Sequence, residues 1–495
     1  MLRPVNESKK LLSHIAAIAA ATCNRSIEGI DVFGISQSSR DVIPGDLFIA
    51  LSGEKYHGAE FAEEAIAKGA VGVLTDAAGA KMISGVPVLT CQNPRRAAGV
   101  VSAWFYSEPM RDLYSVGVTG TNGKTTVTTL LHQIMQATGR ESGLIGTVET
   151  RIGSDVFASK RTTPESAELQ AISSVMRERH MRSLIMEVSS HSISLERIRG
   201  SHFAVVGFTN LSQDHLDFHN SMEEYFLTKA KLFTFEYADL AVINIDDPYG
   251  VRLAEMTELP VVTLSRSSAQ ANWHFASIVG DYCGASIAIR GSGGILIESN
   301  SVLHGGFNYD NLLMAIAIAT ESGVDPIDIA ATVPLLRAAA GRLEAVRLGQ
   351  NFMALVDYAH SPDAVVRVLE VAHEIADGNV IAVLGCGGDR DASKRPLMGK
   401  ALKEGADIAI FTSDNPRSEN PEDILEQMSI DIDVQAPSQV ISDRAVAIQT
   451  AVNYAKAGDI VLVLGKGHEK GQEIAGTIFE FDDRIELARA IEDKR

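Results

Sequence analysis

The chain has 495 residues, 45% hydrophobic and 22% charged, and its 63 Asp+Glu against 44 Lys+Arg leave a formal charge of −19. At roughly 150 residues per domain this length fits about three domains, each able to bury its own core, and it excludes a disordered or low-complexity chain. The acidic balance argues against nucleic acid or an anionic membrane as the main partner, so a phosphate-bearing ligand must be held by local Lys, Arg and backbone N–H groups.

Glycine-punctuated apolar runs alternate with helical patterns along most of the chain, which predicts α/β domains. Residues 46–51 and 70–75 read as short strands around a helical stretch 61–68. Ser107-Glu108-Pro109 reads as a linker before a strand at 113–118. That strand runs into the glycine turn 120–123 and then a helix. Val127, Leu130, Leu131, Ile134 and Met135 share one face of that helix at 3.6-residue spacing, and Gly139 suits its C-terminal cap. Further strands are expected at 184–188, 204–208, 240–245 and 261–264, and residues 274–303 read as glycine-broken hairpins. A second boundary falls near 338–342. Beyond it, runs at 353–356, 380–384, 408–411 and 460–464 alternate with helices as a second doubly wound unit. The expected domains are 1–108, 109–337 and 338–495.

The longest apolar stretches, 15–21 and 312–319, fall well short of the roughly 18 residues needed to span a bilayer. The first ten residues carry both signs of charge and lead into no cleavage-like site. Cys23, Cys91, Cys283 and Cys386 are scattered without a CxxC pair, so neither a disulfide framework nor a thiolate zinc site is readable. A soluble cytoplasmic protein with reduced thiols is expected.

The strongest local chemistry lies in Thr119-Gly120-Thr121-Asn122-Gly123-Lys124-Thr125-Thr126, between a strand and an amphipathic helix. Glycines let a backbone wrap a phosphate, and the helix start offers unpaired N–H groups to it. Lys124 would neutralise β/γ-phosphates and Thr125 can offer an oxygen to Mg²⁺. The spacing departs from the standard P-loop, whose first glycine would fall at Val118. Glu187 ends a strand, where carboxylates commonly serve Mg²⁺. The cluster Asp214-His215-Leu216-Asp217-Phe218-His219 supports three readings: Mg²⁺ ligation, a zinc site through His215 and His219, or a polar loop with helix caps. Lys229 and Lys231 lie on an expected helix 225–233, where most lysines are solvated.

In the last third, Asp357 precedes Ser361, a good N-cap, and Pro362, a good first helical residue. Three more strand-end loops carry charge: 385–390, 413–417 and 465–469. Four such loops on one sheet edge are more than turn chemistry requires. Cys386 reads better as a small buried residue than as a nucleophile.

In order, these pieces resemble the Mur ligase family over essentially the whole chain. The family pattern is TGTNGKTT, then Thr162-Thr163-Pro164, EVSSH, Thr209–His219, a YxxxK segment ending at Lys229, Gly305–Asn311, GRLE at 341–344, DYAHSPD and GKGHE. Ser39-Arg40 with PGDLF at 44–48 resembles the member that adds the third peptide residue, although the usual Asp-Ser-Arg here reads Ser38-Ser39-Arg40. Asp414-Asn415-Pro416-Arg417 is the form associated with meso-diaminopimelate rather than L-lysine.

The resemblance implies an N-terminal domain for a uridine nucleotide, a central P-loop-type parallel-sheet ATPase domain and a C-terminal Rossmann-like domain. It implies ATP and Mg²⁺, and addition of meso-diaminopimelate to UDP-N-acetylmuramoyl-L-alanyl-D-glutamate through an acyl phosphate, by a cytoplasmic monomer acting on small molecules only. Gly120, Thr121, Asn122, Gly123, Lys124, Thr125, Thr126, Asn308, Asn311, Arg342 and Asp357 would contact ATP. Thr125, Glu187, His215 and a carbamylated Lys229 would hold Mg²⁺, with Lys124, Lys229 and His215 as the catalytic set. Ser39, Thr162, Thr163, Ser189 and Arg197 would hold the UDP-dipeptide, and Arg390, Asp414, Asn415, Pro416, Arg417, Gly465 and Glu469 would hold diaminopimelate. The rival readings are the L-lysine-adding homologue, folylpolyglutamate synthetase, a nucleotide-dependent switch protein and a zinc hydrolase.

Overall fold

The computed structural model describes residues 2–5, 9–53, 55–216, 218–281 and 284–494, so Asp217 and Cys283 lie outside the described residues. The chain is mixed α/β and divides into two compact units. The first comprises residues 1–211, 218–274 and 314–329, and the second 212–217, 275–313 and 330–495.

In the first unit, the N-terminal sheet runs Thr22–Cys23, Val88–Thr90, Gly72–Thr75, Asp46–Ile49, Gly34–Ser36, and its last four strands are parallel. Gly34–Ser36, Asp46–Ile49 and Gly72–Thr75 are buried at every position, as in a parallel sheet covered on both faces. The predicted helix at 61–68 begins earlier, as a 3₁₀ turn Gly58–Phe61 that runs into Ala62–Ala67. Asp46 is fully buried, and Arg3 pairs with both of its carboxylate oxygens at 2.6 and 2.5 Å.

The stretch at 107–109 is more ordered than a linker. Ser107 and Glu108 both take left-handed φ, at 59° and 49°, and Pro109 opens a one-turn helix Pro109–Asp112. Arg177 fixes the turn by donating to the carbonyls of Tyr106 and Ser107. The central strand Tyr114–Thr119 then lies between Ser183–Glu187 and Phe203–Phe208, both parallel to it. Ser142–Ile145 extends that sheet on one side, and Ala238–Asn244 and Val261–Ser265 extend it on the other. Register sets Glu187 opposite Val118 and Phe208 opposite Thr119, so three chain segments leave the sheet side by side at its carboxyl edge. Helix Lys124–Ala137 buries the five apolar residues that its period selects, and Gly139 follows it at φ 72°.

The second unit holds the hairpin Gly284–Arg290 with Leu296–Ser301 and a six-stranded sheet. In the latter, Met353–Asp357, Ile460–Leu464, Val380–Cys386 and Ile408–Ser413 are neighbours and parallel. Alternate residues feed two cores. Leu355, Ala382, Leu384 and Leu462 pack with helices Pro362–Ile375, Lys394–Gly405 and Pro421–Met428, while Ala354, Val356, Ile381 and Val463 pack with Arg444–Tyr454 and Asp483–Lys494. Arg444 and Asp483 form a fully buried pair at 2.7 Å, and Arg444 also donates to the carbonyls of Ser413 and Leu464. The pair thereby ties the carboxyl ends of two strands together, and satisfying the guanidinium in this way makes its burial tolerable.

Candidate active site

Each unit carries one constellation of the residues singled out above. In the first, the loop after Tyr114–Thr119 is held open by Asn210. Its carbonyl accepts from Thr121 N at 2.8 Å and its side-chain oxygen from Asn122 N at 3.0 Å. Gly120 has φ 147°, and a Cβ there would lie 1.9 Å from Thr209 Oγ1, so the position admits only glycine. Gly123, at φ 88°, turns the chain into the helix. Lys124 is the first helical residue, and its Nζ donates to the carbonyls of Gly120 and Thr121 at 3.0 and 2.8 Å. Thr126 is buried one residue beyond Thr125.

Glu187 is fully buried at the strand end. Its carboxylate accepts from Thr125 Oγ1 at 3.0 Å, Thr147 N at 2.7 Å and Thr147 Oγ1 at 3.1 Å, and Thr147 in turn meets Thr162 at 3.0 Å. Thr163 donates to the Glu187 carbonyl and accepts from Ser189 N, so the strand end gathers Thr125, Thr162, Thr163 and Ser189. Arg197 pairs with Glu165 at 2.9 Å, and burial holds its guanidinium below the ordinary arginine range. Ser39 donates to Glu64 at 2.6 Å in the N-terminal sheet region.

The solvated reading of Lys229 does not hold. Only 1% of it is exposed, and its Nζ donates to the Gly120 carbonyl at 2.8 Å while lying 4.7 Å from the centre of the Tyr225 ring. Tyr225 and Lys229 are i, i+4 on helix Met222–Ala230, so one face delivers both to the loop, and Tyr225 Oη reaches Thr121 Oγ1 at 3.3 Å. The zinc reading also fails. Residues 214–216 and 218–219 are not helical, and His219 is buried against Ser190 Oγ at 3.0 Å. No cluster of three or more His, Cys, Asp or Glu suited to a metal occurs among the described residues.

In the second unit, Asp357 ends its strand with 5% of its surface exposed. It accepts from Leu343 N at 2.7 Å and Ala359 N at 2.8 Å. Burial raises its carboxyl above the usual range against the opposing effect of Arg342, whose guanidinium sits 4.8 Å from the Tyr358 ring centre. Asn308 and Asn311 are buried one turn apart on helix Gly306–Glu321, and Asn308 is anchored on the His304 carbonyl. His215 takes φ 53° beside Asp214. Burial pushes the Asp214 carboxyl up, but His215, Lys394 and His360 outweigh it and leave it below the usual range.

The charged loops converge as the strand ends require. Gly465 N donates to the Asp357 carbonyl at 3.1 Å, and a Cβ on Gly465 would approach Asp414 to 2.7 Å. Asn415 donates to Glu469 at 2.7 Å. Pro416 is buried, and Arg390 is exposed at the end of its loop. Arg417 has φ 52°, and its backbone is fixed by Glu473 O and Ala475 N of the hairpin Gly471–Ile474 with Thr477–Glu480. Its side chain donates to the Gly388 carbonyl at 2.7 Å and lies 3.6 Å from Glu473, so Arg417 has partners of its own. Arg395, almost wholly buried, joins Gly387 to Glu419 and holds the Glu419 carboxyl down at about 2. Cys386 is buried at the end of the strand Val380–Cys386. Burial pushes its thiol up to about 12, which disqualifies it as a nucleophile.

Sequence reasoning missed Asn210, Thr147 and Arg395. Asn210 lay inside a quoted segment but had no assigned role, and Tyr225 was legible only as the partner of Lys229 at helical spacing. Nothing in the sequence marked Thr147.

Three family models match the chain: a Mur ligase family catalytic domain over residues 31–107, the Mur ligase middle domain over 118–319 and the Mur ligase glutamate ligase domain over 341–467. A Streptomyces coelicolor protein named UDP-N-acetylmuramoyl-L-alanyl-D-glutamate--2,6-diaminopimelate ligase is 45% identical over 498 residues, covering 99% of this chain and 98% of its own. One of the same name from Geobacillus kaustophilus is 40% identical, over 94% of this chain and 96% of its own. A solved structure of a ligase of that name superposes with TM-score 0.70 at 32% identity, covering 98% and 99% of the two chains. A Thermotoga maritima MurF ligase in complex with ADP, at TM-score 0.63 and 17% identity over 93% of this chain and 97% of its own, shares the fold.

Proposed function

The chain belongs to the Mur ligase family, and from that premise we propose that it joins meso-diaminopimelate to the D-glutamyl γ-carboxylate of UDP-N-acetylmuramoyl-L-alanyl-D-glutamate. It does so at the expense of ATP, in the synthesis of peptidoglycan precursors. The observation that carries this reading is likeness to ligases of that name along 99% of the chain, which takes in both the phosphate loop and the Arg417 loop. The proposed domains are residues 1–108, 109–337 and 338–495, and each matched segment falls inside one of them. The protein is read as a cytoplasmic monomer, and no helix among the described residues is long and apolar enough to cross a membrane.

The loop 119–126 receives the phosphates of ATP, and Lys124 Nζ exchanges its two carbonyl partners for phosphate oxygens. Asn308, Asn311, Arg342 and Asp357 take the rest of the nucleotide. Thr125 Oγ1 and the Glu187 carboxylate, 3.0 Å apart, are hard oxygen donors that suit Mg²⁺. Carbamylated Lys229 adds an anionic ligand, and His215 keeps the ligand role that the resemblance implies. Bound there, Mg²⁺ supplies charge neutralisation on the transferring phosphoryl group. Ser39, Thr162, Thr163, Ser189 and Arg197 orient the UDP-dipeptide so that its γ-carboxylate attacks the γ-phosphate, giving an acyl phosphate and ADP. Two anions meet in that step, so Lys124 and the N–H groups at the helix start offset the repulsion. The amine of diaminopimelate then attacks the acyl carbon and phosphate leaves.

The products test the mechanism. ADP and phosphate are expected, released only when both co-substrates are present, and AMP with pyrophosphate would refute attack at the γ-phosphate. Specificity is tested at Arg417. A planar guanidinium grips the distal carboxylate of diaminopimelate through two parallel bonds, and lysine has no such group. Arg417 also has Gly388 O and Glu473 within reach, so lysine does not leave it wholly unpaired. A preference in kcat/KM of about 10²–10³ is therefore expected, below the range for a fully orphaned group. Arg417→Ala should remove most of it. A wild-type preference for lysine, or an undiminished preference in the variant, contradicts the assignment.

A further inference from the structure

Lys466 stands between two glycines in Gly465-Lys466-Gly467, a pattern that by itself resembles a phosphate-binding turn. Its surroundings assign it differently. The side chain is fully buried, and Nζ donates to Asn415 Oδ1 at 3.0 Å, Glu469 Oε2 at 3.2 Å and the Gly471 carbonyl at 2.7 Å. An ammonium has three donors, so all are spent inside the protein and none remains for a ligand. Burial of a cation is tolerable only with such complete pairing.

The three acceptors belong to the segments that carry the amino-acid site. Asn415 Oδ1 also accepts from Glu473 N at 3.0 Å, which fixes the amide so that Nδ2 faces Glu469 Oε2 at 2.7 Å. Glu469 Oε2 thus takes two bonds, which fix the carboxylate. Gly471 begins the hairpin whose Glu473 carbonyl and Ala475 N–H hold the Arg417 backbone in its left-handed conformation. One buried ammonium therefore governs Asn415 and Glu469 directly and Arg417 through the hairpin.

Resting on the function proposed above, we propose that Lys466 is a positioning residue for amino-acid selection, holding Asn415, Glu469 and the Arg417 hairpin in the arrangement that accepts the second amine and carboxylate of diaminopimelate. Lys466→Met should raise the KM for diaminopimelate about tenfold or more, the scale of a lost charged hydrogen bond, and shrink the preference over lysine. The KM values for ATP and the UDP-dipeptide should stay within about twofold, a split that general destabilisation does not produce. Lys466→Gln keeps a donor without the charge and should lie between. In an Asn415→Ala background, Lys466→Gln should add little, because the two act as one unit.

A parallel rise in all three KM values, a fall in kcat alone, or full additivity with Asn415→Ala overturns the proposal. So does loss of folding in both Lys466 variants, which makes the residue a stability element. If Arg417→Ala and Glu469→Ala leave the diaminopimelate KM unchanged, the placement of the amino-acid site is what fails; if they raise it and the Lys466 variants do not, only the positioning role fails.

Discussion

Lys124→Ala is expected to lose at least ~10²-fold in kcat, the usual consequence of removing a preorganised charge aimed at the transition state. Lys124 opens its helix directly after left-handed Gly123, so its ammonium hangs over the loop that Asn210 holds open. It donates to the Gly120 and Thr121 carbonyls, partners that a phosphate oxygen would replace in the proposed reaction. The loop itself is fixed by Asn210 and by Thr209, which donates to the Asn122 carbonyl at 2.6 Å, and neither contact involves the lysine. The variant should therefore melt like the wild type, and steady-state turnover together with thermal unfolding separates lost chemistry from lost fold. Normal turnover in Lys124→Ala would rule out its role at the phosphates.

Lys229→Ala is expected to be folded and nearly inactive, with partial rescue by a short carboxylic acid. The side chain is buried beside the phosphate loop, within 2.8 Å of the Gly120 carbonyl and against the Tyr225 ring. A carbamate forms on a neutral amine, which burial favours in general, and a divalent cation nearby stabilises the resulting anion. The proposed change would convert a cation at the loop into a metal ligand. Native mass measurement of active enzyme should find one added CO₂ that is absent from Lys229→Ala, and activity should fall when CO₂ is stripped from the buffer. A fully active enzyme whose Lys229 stays unmodified with ATP and metal bound would contradict the proposal.

Much of this was legible because the signals are local. Period-3.6 spacing from Val127 to Met135 chose the buried face of a helix, and glycines at 120 and 123 marked positive φ, at 120 where a side chain would also clash with Thr209. The four charged loops were legible for the same reason, each directly following an apolar run. Arg417 differed in substance: its position was readable, but its left-handed backbone and its pairing with Gly388 and Glu473 were not.

The sequence by itself determined the α/β class, the strand-end positions of the charged loops and the family likeness, since each is built from short motifs whose residues lie a few positions apart. Only the tertiary structure decided which residues support them. Asn210 reaches the loop at 120 because Phe203–Phe208 lies beside Tyr114–Thr119, and Thr147 reaches Glu187 because Ser142–Ile145 lies on the other side of Ser183–Glu187. Lys466 meets Asn415, 51 residues away, because Ile460–Leu464 is inserted between Met353–Asp357 and Val380–Cys386. Strand order sets such contacts, and it follows from how two hydrophobic faces pack rather than from any short stretch of chain.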